Sequence, residues 1–234
     1  AAAIKSGWIT MGPKTVEFEG RLRDYLAVKA GPNPNRLHAV SANSATAALH
    51  LALKAIGLKR GDEVIIPTTT FIATAEVVTY FGAKPVLCDV EEDTHNIAVS
   101  KIEPLINSRT KAIIPVHFAG QPCDMDEIMA IARRRRLKVI EDAAHSLPSY
   151  YKGRPIGVIG DITCFSFYAT KTLATGEGGM LVTANEAYAK HAKINRLHGI
   201  SRDAWDRYTM KGSWFYEVVD NGDKYNTPAI HSGL

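Results

Sequence analysis

The chain has 234 residues, 46% of them hydrophobic, enough for one large core or two small ones. Its net charge of +4 is too small to indicate a nucleic-acid partner, and three cysteines without C-x-x-C spacing provide neither a disulfide framework nor a metal site. No apolar run reaches the length of a membrane span and no signal peptide opens the chain, so a cytoplasmic location is expected.

The first clear element is a helix over residues 44–56, with apolar residues at helical spacing and Gly57 as its stop. It opens on Asn43-Ser44-Ala45-Thr46-Ala47. Free amides and hydroxyls at a helix start make an anion site, although an ordinary serine cap reads the same way. A short buried strand follows at 63–67, then Thr68-Thr-Thr70 and a helix over 71–81 that Gly82 stops. Phe71 at that junction could stack on a flat ligand; alone, such a ring is more often core.

Strands at 84–89, 111–117 and 137–142 alternate with helices at 99–106 and 125–135. The arginines 133–136 stand where cations complement a helix dipole, which is favoured over a phosphate-binding patch. Short apolar strands separated by helices predict a three-layer α/β/α domain with a mainly parallel sheet. In such sheets the site lies beyond the carboxyl ends of the strands, near which Asp89, His117, Asp142 and Ser166 all fall.

Asp142 is followed by Ala143-Ala144-His145. A carboxylate at a buried strand end needs a cationic partner, which a protonated pyridine nitrogen would provide; a helix cap is the alternative. His145 could cover one face of such a ring or serve a structural role. A strand at 162–167 leads to Lys171, and Gly176-Glu-Gly-Gly179 leads to a strand at 180–183. A desolvated lysine there would be nucleophilic and suited to a Schiff base with an aldehyde cofactor, whereas a lone loop lysine is usually solvated. Ser166 could donate to the cofactor phosphate or bond its own backbone. Beyond a helix at 187–197, residues 205–223 are rich in aromatic and charged residues and read as a long connection. The chain stops in mid-connection, so a further C-terminal portion is expected.

The run Ser166-Phe-Tyr-Ala-Thr-Lys171 through Gly179, together with Glu141-Asp142-Ala-Ala-His145, resembles the DegT/DnrJ/EryC1/StrS family of sugar aminotransferases. Gly61-Asp-Glu-Val-Ile-Ile-Pro-Thr-Thr-Thr-Phe71, His117-Phe-Ala-Gly-Gln-Pro-Cys-Asp124 and Arg196-Leu-His-Gly199 agree with it. The resemblance implies the large domain of pyridoxal-phosphate (PLP) fold type I over residues 1–200. Residues 201–234 would lead toward a small C-terminal domain absent from this chain. It implies a homodimer with a shared site, acting on a nucleotide-linked keto-sugar with glutamate as the expected amino donor. By position, Lys171 would hold the cofactor, Asp142 would pair with its ring nitrogen, and Ala45, Thr46 and Ser166 would bind its phosphate. Phe71 matches the stacking aromatic, and His145 falls where many members carry glutamine. Asn226 matches an asparagine that reaches the neighbouring subunit's phosphate. A sugar dehydratase on the same fold would carry histidine in place of Lys171, and a non-catalytic relative would not need the Lys171 and Asp142 pair.

Overall fold

The computed structural model describes residues 2–7, 11–30, 37–200 and 218–225. Helices α1 (Ala2–Lys5) and α2 (Pro13–Ala30) lead into strand β1 (His38–Ala42). The chain then alternates through α3 (Ala45–Ala55), β2 (Glu63–Pro67), α4 (Ile72–Thr79), β3 (Lys84–Cys88), α5 (Val99–Ile102), β4 (Thr110–Ile113), α6 (Met125–Arg135) and β5 (Lys138–Asp142). A hairpin of β6 (Tyr150–Tyr151) and β7 (Arg154–Pro155) precedes β8 (Ile162–Ser166), β9 (Gly179–Thr183) and α7 (Glu186–Asn195).

Seven strands form one sheet in the order β1-β9-β8-β5-β4-β2-β3. Only β9 runs against its neighbours, so the sheet is mainly parallel, as predicted. Strand alternation divides the core. Ile65, Ile113, Val139, Phe165 and Val182 point to one face and pack with α2 and α6 residues such as Leu22, Leu26, Met125 and Ile128. Val64, Ile66, Ala112, Ile114, Ile140 and Leu181 point to the other and meet α3, α4 and α7. Both faces are thus covered, which is why these strands read as continuous apolar runs.

Several expected boundaries shift for local reasons. The strand expected over 111–117 pairs regularly only through β4, because Pro115 has no N–H to give the ladder. Ile114 still donates to the Ile65 carbonyl, and Val116 makes an isolated bridge with Asp142. The helix expected over 99–106 is α5 followed by a 3-10 turn, Glu103–Leu105, with Pro104 inside it. Gly57 takes φ +74° after α3, the left-handed conformation that a helix stop needs. Arg134 and Arg135, in the last turn of α6, pair with Glu103.

Beyond α7, residues 218–225 lie back along the domain. Leu197 bridges Lys224 and Ile200 bridges Val218. The Tyr225 hydroxyl lies 2.8 Å from His50 Nδ1 on α3, and its carbonyl accepts the Asn43 N–H at 2.8 Å.

Candidate active site

The carboxyl ends of the parallel strands open into one cleft of about 710 Å³. Its walls include Ala45, Thr46, Phe71, Asp142, His145, Ser166 and Lys171, so seven of the eight residues expected at the site are brought together. The eighth, Asn226, lies outside the described residues.

Each arrives on a different element. Ser44 caps α3, its hydroxyl accepting the Ala47 N–H at 3.1 Å. The cap and the anion site are therefore compatible: the amides of Ala45 and Thr46, one turn earlier than any acceptor inside α3, still face outward at the positive end of the helix. Gly179, where β9 begins, packs so closely on this turn that a Cβ there would overlap the Ser44 carbonyl.

Asp142 ends β5 and is only 5% exposed. It does not cap a helix. One carboxylate oxygen, Oδ1, accepts the Ala144 N–H at 3.1 Å, and Oδ2 accepts the Thr74 hydroxyl at 2.8 Å. Among the described residues no cation pairs with it. Thr74 belongs to the first turn of α4 and is fully buried. The sequence reading passed over it because a threonine on a mostly apolar helix carries no chemical signature.

Lys171 stands in a turn five residues beyond β8, half-buried, so it is less desolvated than a lysine at the strand end itself. Its N–H is bonded to the Tyr168 carbonyl at 2.9 Å. Ser166 is partly buried, and its hydroxyl oxygen accepts a long 3.4 Å bond from the Tyr168 amide, which leaves its own proton unspent there. Phe71 is 76% exposed at the start of α4, which excludes the core role. His145 faces the cleft, and burial, reinforced by the Lys171 charge against the opposing pull of Asp142, holds its imidazole below the ordinary histidine range.

His117, on the cleft wall, and Glu141 behind it form a buried pair, Nε2 to Oε2 at 2.9 Å. The His117 Nδ1 accepts the Cys123 N–H, which places the ring proton on Nε2. Glu141 also accepts from the Gly160 amide and the Thr163 hydroxyl. In the sequence His117 marks a strand end and opens a stretch that agrees with the family resemblance, but its pairing with Glu141 has no local signal.

This arrangement can hold a phosphorylated, cationic, carbonyl-bearing ring. The start of α3 offers amides to a dianion, the unpaired buried carboxylate suits a ring cation, and the lysine amine can condense with an aldehyde. The donor set fits pyridoxal phosphate.

Known proteins are similar to this chain over nearly its whole length. Spore coat polysaccharide biosynthesis protein SpsC of Bacillus subtilis (strain 168) is 51% identical over 231 residues, covering 99% of this chain and 57% of that protein. The UDP-4-amino-4-deoxy-L-arabinose–oxoglutarate aminotransferase of Shewanella sediminis is 44% identical over 231 residues, covering 98% of this chain and 57% of its own length. Among solved structures, Spr1654 of Streptococcus pneumoniae in its PLP form superposes with a TM-score of 0.87 at 36% identity, over 99% of this chain and 60% of the other. DesV of S. venezuelae, in complex with a ketimine intermediate, gives 0.85 at 33%, over 99% and 57%. The fold is accordingly the α/β large domain of PLP fold type I. The chain spans less than three fifths of the length of these curated relatives. The profile of one family matches residues 1–232, nearly the whole sequence, and on that ground the chain belongs to the DegT/DnrJ/EryC1/StrS aminotransferase family.

Proposed function

We propose that the protein is a PLP-dependent aminotransferase that passes an amino group, with glutamate as donor, to a nucleotide-linked keto-sugar. The observation that carries this reading is the convergence of Lys171, Asp142 and the open amides of α3 on one cleft. The names of SpsC and of the amino-arabinose aminotransferase support the sugar class.

Bound pyridoxal phosphate would supply an aldehyde for amine exchange and a cationic ring that takes up an electron pair from the donor's α-carbon. Lys171 Nζ would hold that aldehyde and, when free, would serve as the proton carrier, first as base and then as acid. Asp142 would stand opposite the ring nitrogen and favour its protonated form. Ala45 and Thr46 bind the phosphate with backbone amides and the Thr46 hydroxyl, aided by Ser166. Phe71 and His145 flank the ring. His145, held neutral at pH 7, adds no positive charge that would compete with Lys171. In this reading the protein works as a homodimer, and Asn226 is assigned to the shared site by the family resemblance alone. The apolar surface of Phe71 and Tyr168, exposed beside the cleft, supports a covering subunit.

The test is an absorbance spectrum of the full-length protein with pyridoxal phosphate, before and after glutamate. A visible band that glutamate converts to the amine form is expected from the wild type, and none from Lys171→Ala, which should remain folded. Catalysis by Lys171→Ala without added amine, or no band from the folded wild type, would overturn the reading.

A further inference from the structure

Thr68, Thr69 and Thr70 connect β2 to α4, and only part of that run lines the cleft. Thr70 is on the wall. Its hydroxyl lies 2.7 Å from the Thr74 hydroxyl, which in turn donates to Asp142 Oδ2 at 2.8 Å. Thr74 has one proton and spends it on the carboxylate, which can only accept when ionised. The Thr74 oxygen must then receive its second bond from Thr70, whose alternative acceptor, the Phe71 carbonyl, is farther at 3.3 Å. Proton directions are thus fixed from the cleft wall inward to Asp142.

The consequence is geometric. Asp142 has its Oδ1 tied by the Ala144 amide and its Oδ2 by Thr74, so the carboxylate plane is set from two sides. Thr74 is fully buried and does not line the cleft, so it cannot touch a ligand itself. Its hydroxyl makes this bond at a buried site with little water to replace it. From these bonds we infer that Thr74 is a positioning residue: with Thr70 behind it, it aims the carboxylate that meets the cofactor's ring nitrogen. This rests on the proposed role of Asp142.

A pair of ligands separates this from ordinary packing. Pyridoxal phosphate carries the ring nitrogen; its deaza analogue has a carbon there and offers Asp142 nothing to bind. Dissociation constants for both are measured by equilibrium dialysis on full-length protein freed of cofactor. Thr74→Val keeps the side-chain shape and removes the hydroxyl. It should weaken pyridoxal phosphate about tenfold and change the deaza analogue less than about twofold, the scale of one hydrogen bond to a charged group. Thr74→Ser, which keeps the hydroxyl, should restore wild-type selectivity, and Thr70→Val should show a smaller loss of the same kind.

Equal weakening of both ligands by Thr74→Val would make the residue a packing element and overturn the inference while leaving the aminotransferase reading intact. So would unchanged binding of both. A wild type that binds the two ligands equally would remove Asp142 from the ring nitrogen, and the inference with it. A wild type that binds neither would overturn the cofactor reading itself.

Discussion

Gly179 lies where any side chain would run into the Ser44 carbonyl. The contact joins the first residue of β9, paired on one side with Ala42 and on the other with Ser166, to the cap of α3. Strand and helix start are therefore set against each other by backbone alone, and the outward amides of Ala45 and Thr46 inherit their position from the sheet.

Gly179→Ala should accordingly damage the phosphate end of the cleft. The added methyl meets backbone rather than a flexible side-chain tip, so Ser44 and Ala45 must move. Overpacking of this kind costs about 1–3 kcal/mol. A loss of unfolding free energy of that size in urea denaturation, with weaker binding of pyridoxal phosphate, is the expected result. Wild-type stability and affinity together would mean the turn yields freely.

Glu141 is the next vulnerable point. It is wholly buried and accepts from three donors, the Gly160 amide at 2.8 Å, the Thr163 hydroxyl at 2.7 Å and His117 Nε2 at 2.9 Å. Glu141→Ala strands all three, each buried donor left unmade costing about 1–3 kcal/mol. A loss of at least about 3 kcal/mol in urea denaturation follows on that scale. Glu141→Gln keeps one acceptor oxygen and should lose less, although its amide group must face one of the same donors. Loss below about 1 kcal/mol from the alanine variant would show that water satisfies the three donors.

Where the sequence was easy to read, one physical pattern dominated. Met125–Arg135 shows a clean apolar stripe, and β2 is apolar with flanking turn residues, so both were legible to the residue. Helix α2 was not anticipated. Its buried face is Thr15, Glu19, Leu22 and Leu26, and half of that stripe is polar. The polarity makes sense only in three dimensions: Glu19 accepts the Ser41 amide and hydroxyl and pairs with Arg196, from far along the chain. Strand β1 escaped notice for the same reason, since Ser41 interrupts a five-residue segment. At the cleft, Lys171 and Asp142 carried local motifs, whereas Thr74 gains its meaning from a carboxylate 68 positions away.

Acid should loosen the segment that lies on α3. His50 on α3 touches Tyr225, and His191 on α7 pairs with Asp220 at 3.3 Å. Burial, in each case the leading cause, holds both imidazoles below the ordinary histidine range. Lys54 pushes the same way, and Asp223 and Asp220 respectively resist. A histidine with a depressed folded pKa binds fewer protons than its unfolded counterpart. Its stabilising contribution is whole above about pH 6.5 and is lost as pH falls toward the folded value. The carboxyl of Asp220 is itself held low, chiefly by the Asn195 amide, so it titrates only in more acid solution. The melting temperature should therefore fall between pH 6.5 and 5, and the double variant His50→Gln, His191→Gln should flatten that slope. His145, depressed in the same direction, keeps the slope from vanishing. Hydrogen exchange locates the effect. The amides of Val219, Asp223 and Tyr225, bonded to the carbonyls of Gly199, Asn195 and Arg196, should lose protection before those of the central strands. An unaltered slope in the double variant would show that neither imidazole governs the acid response.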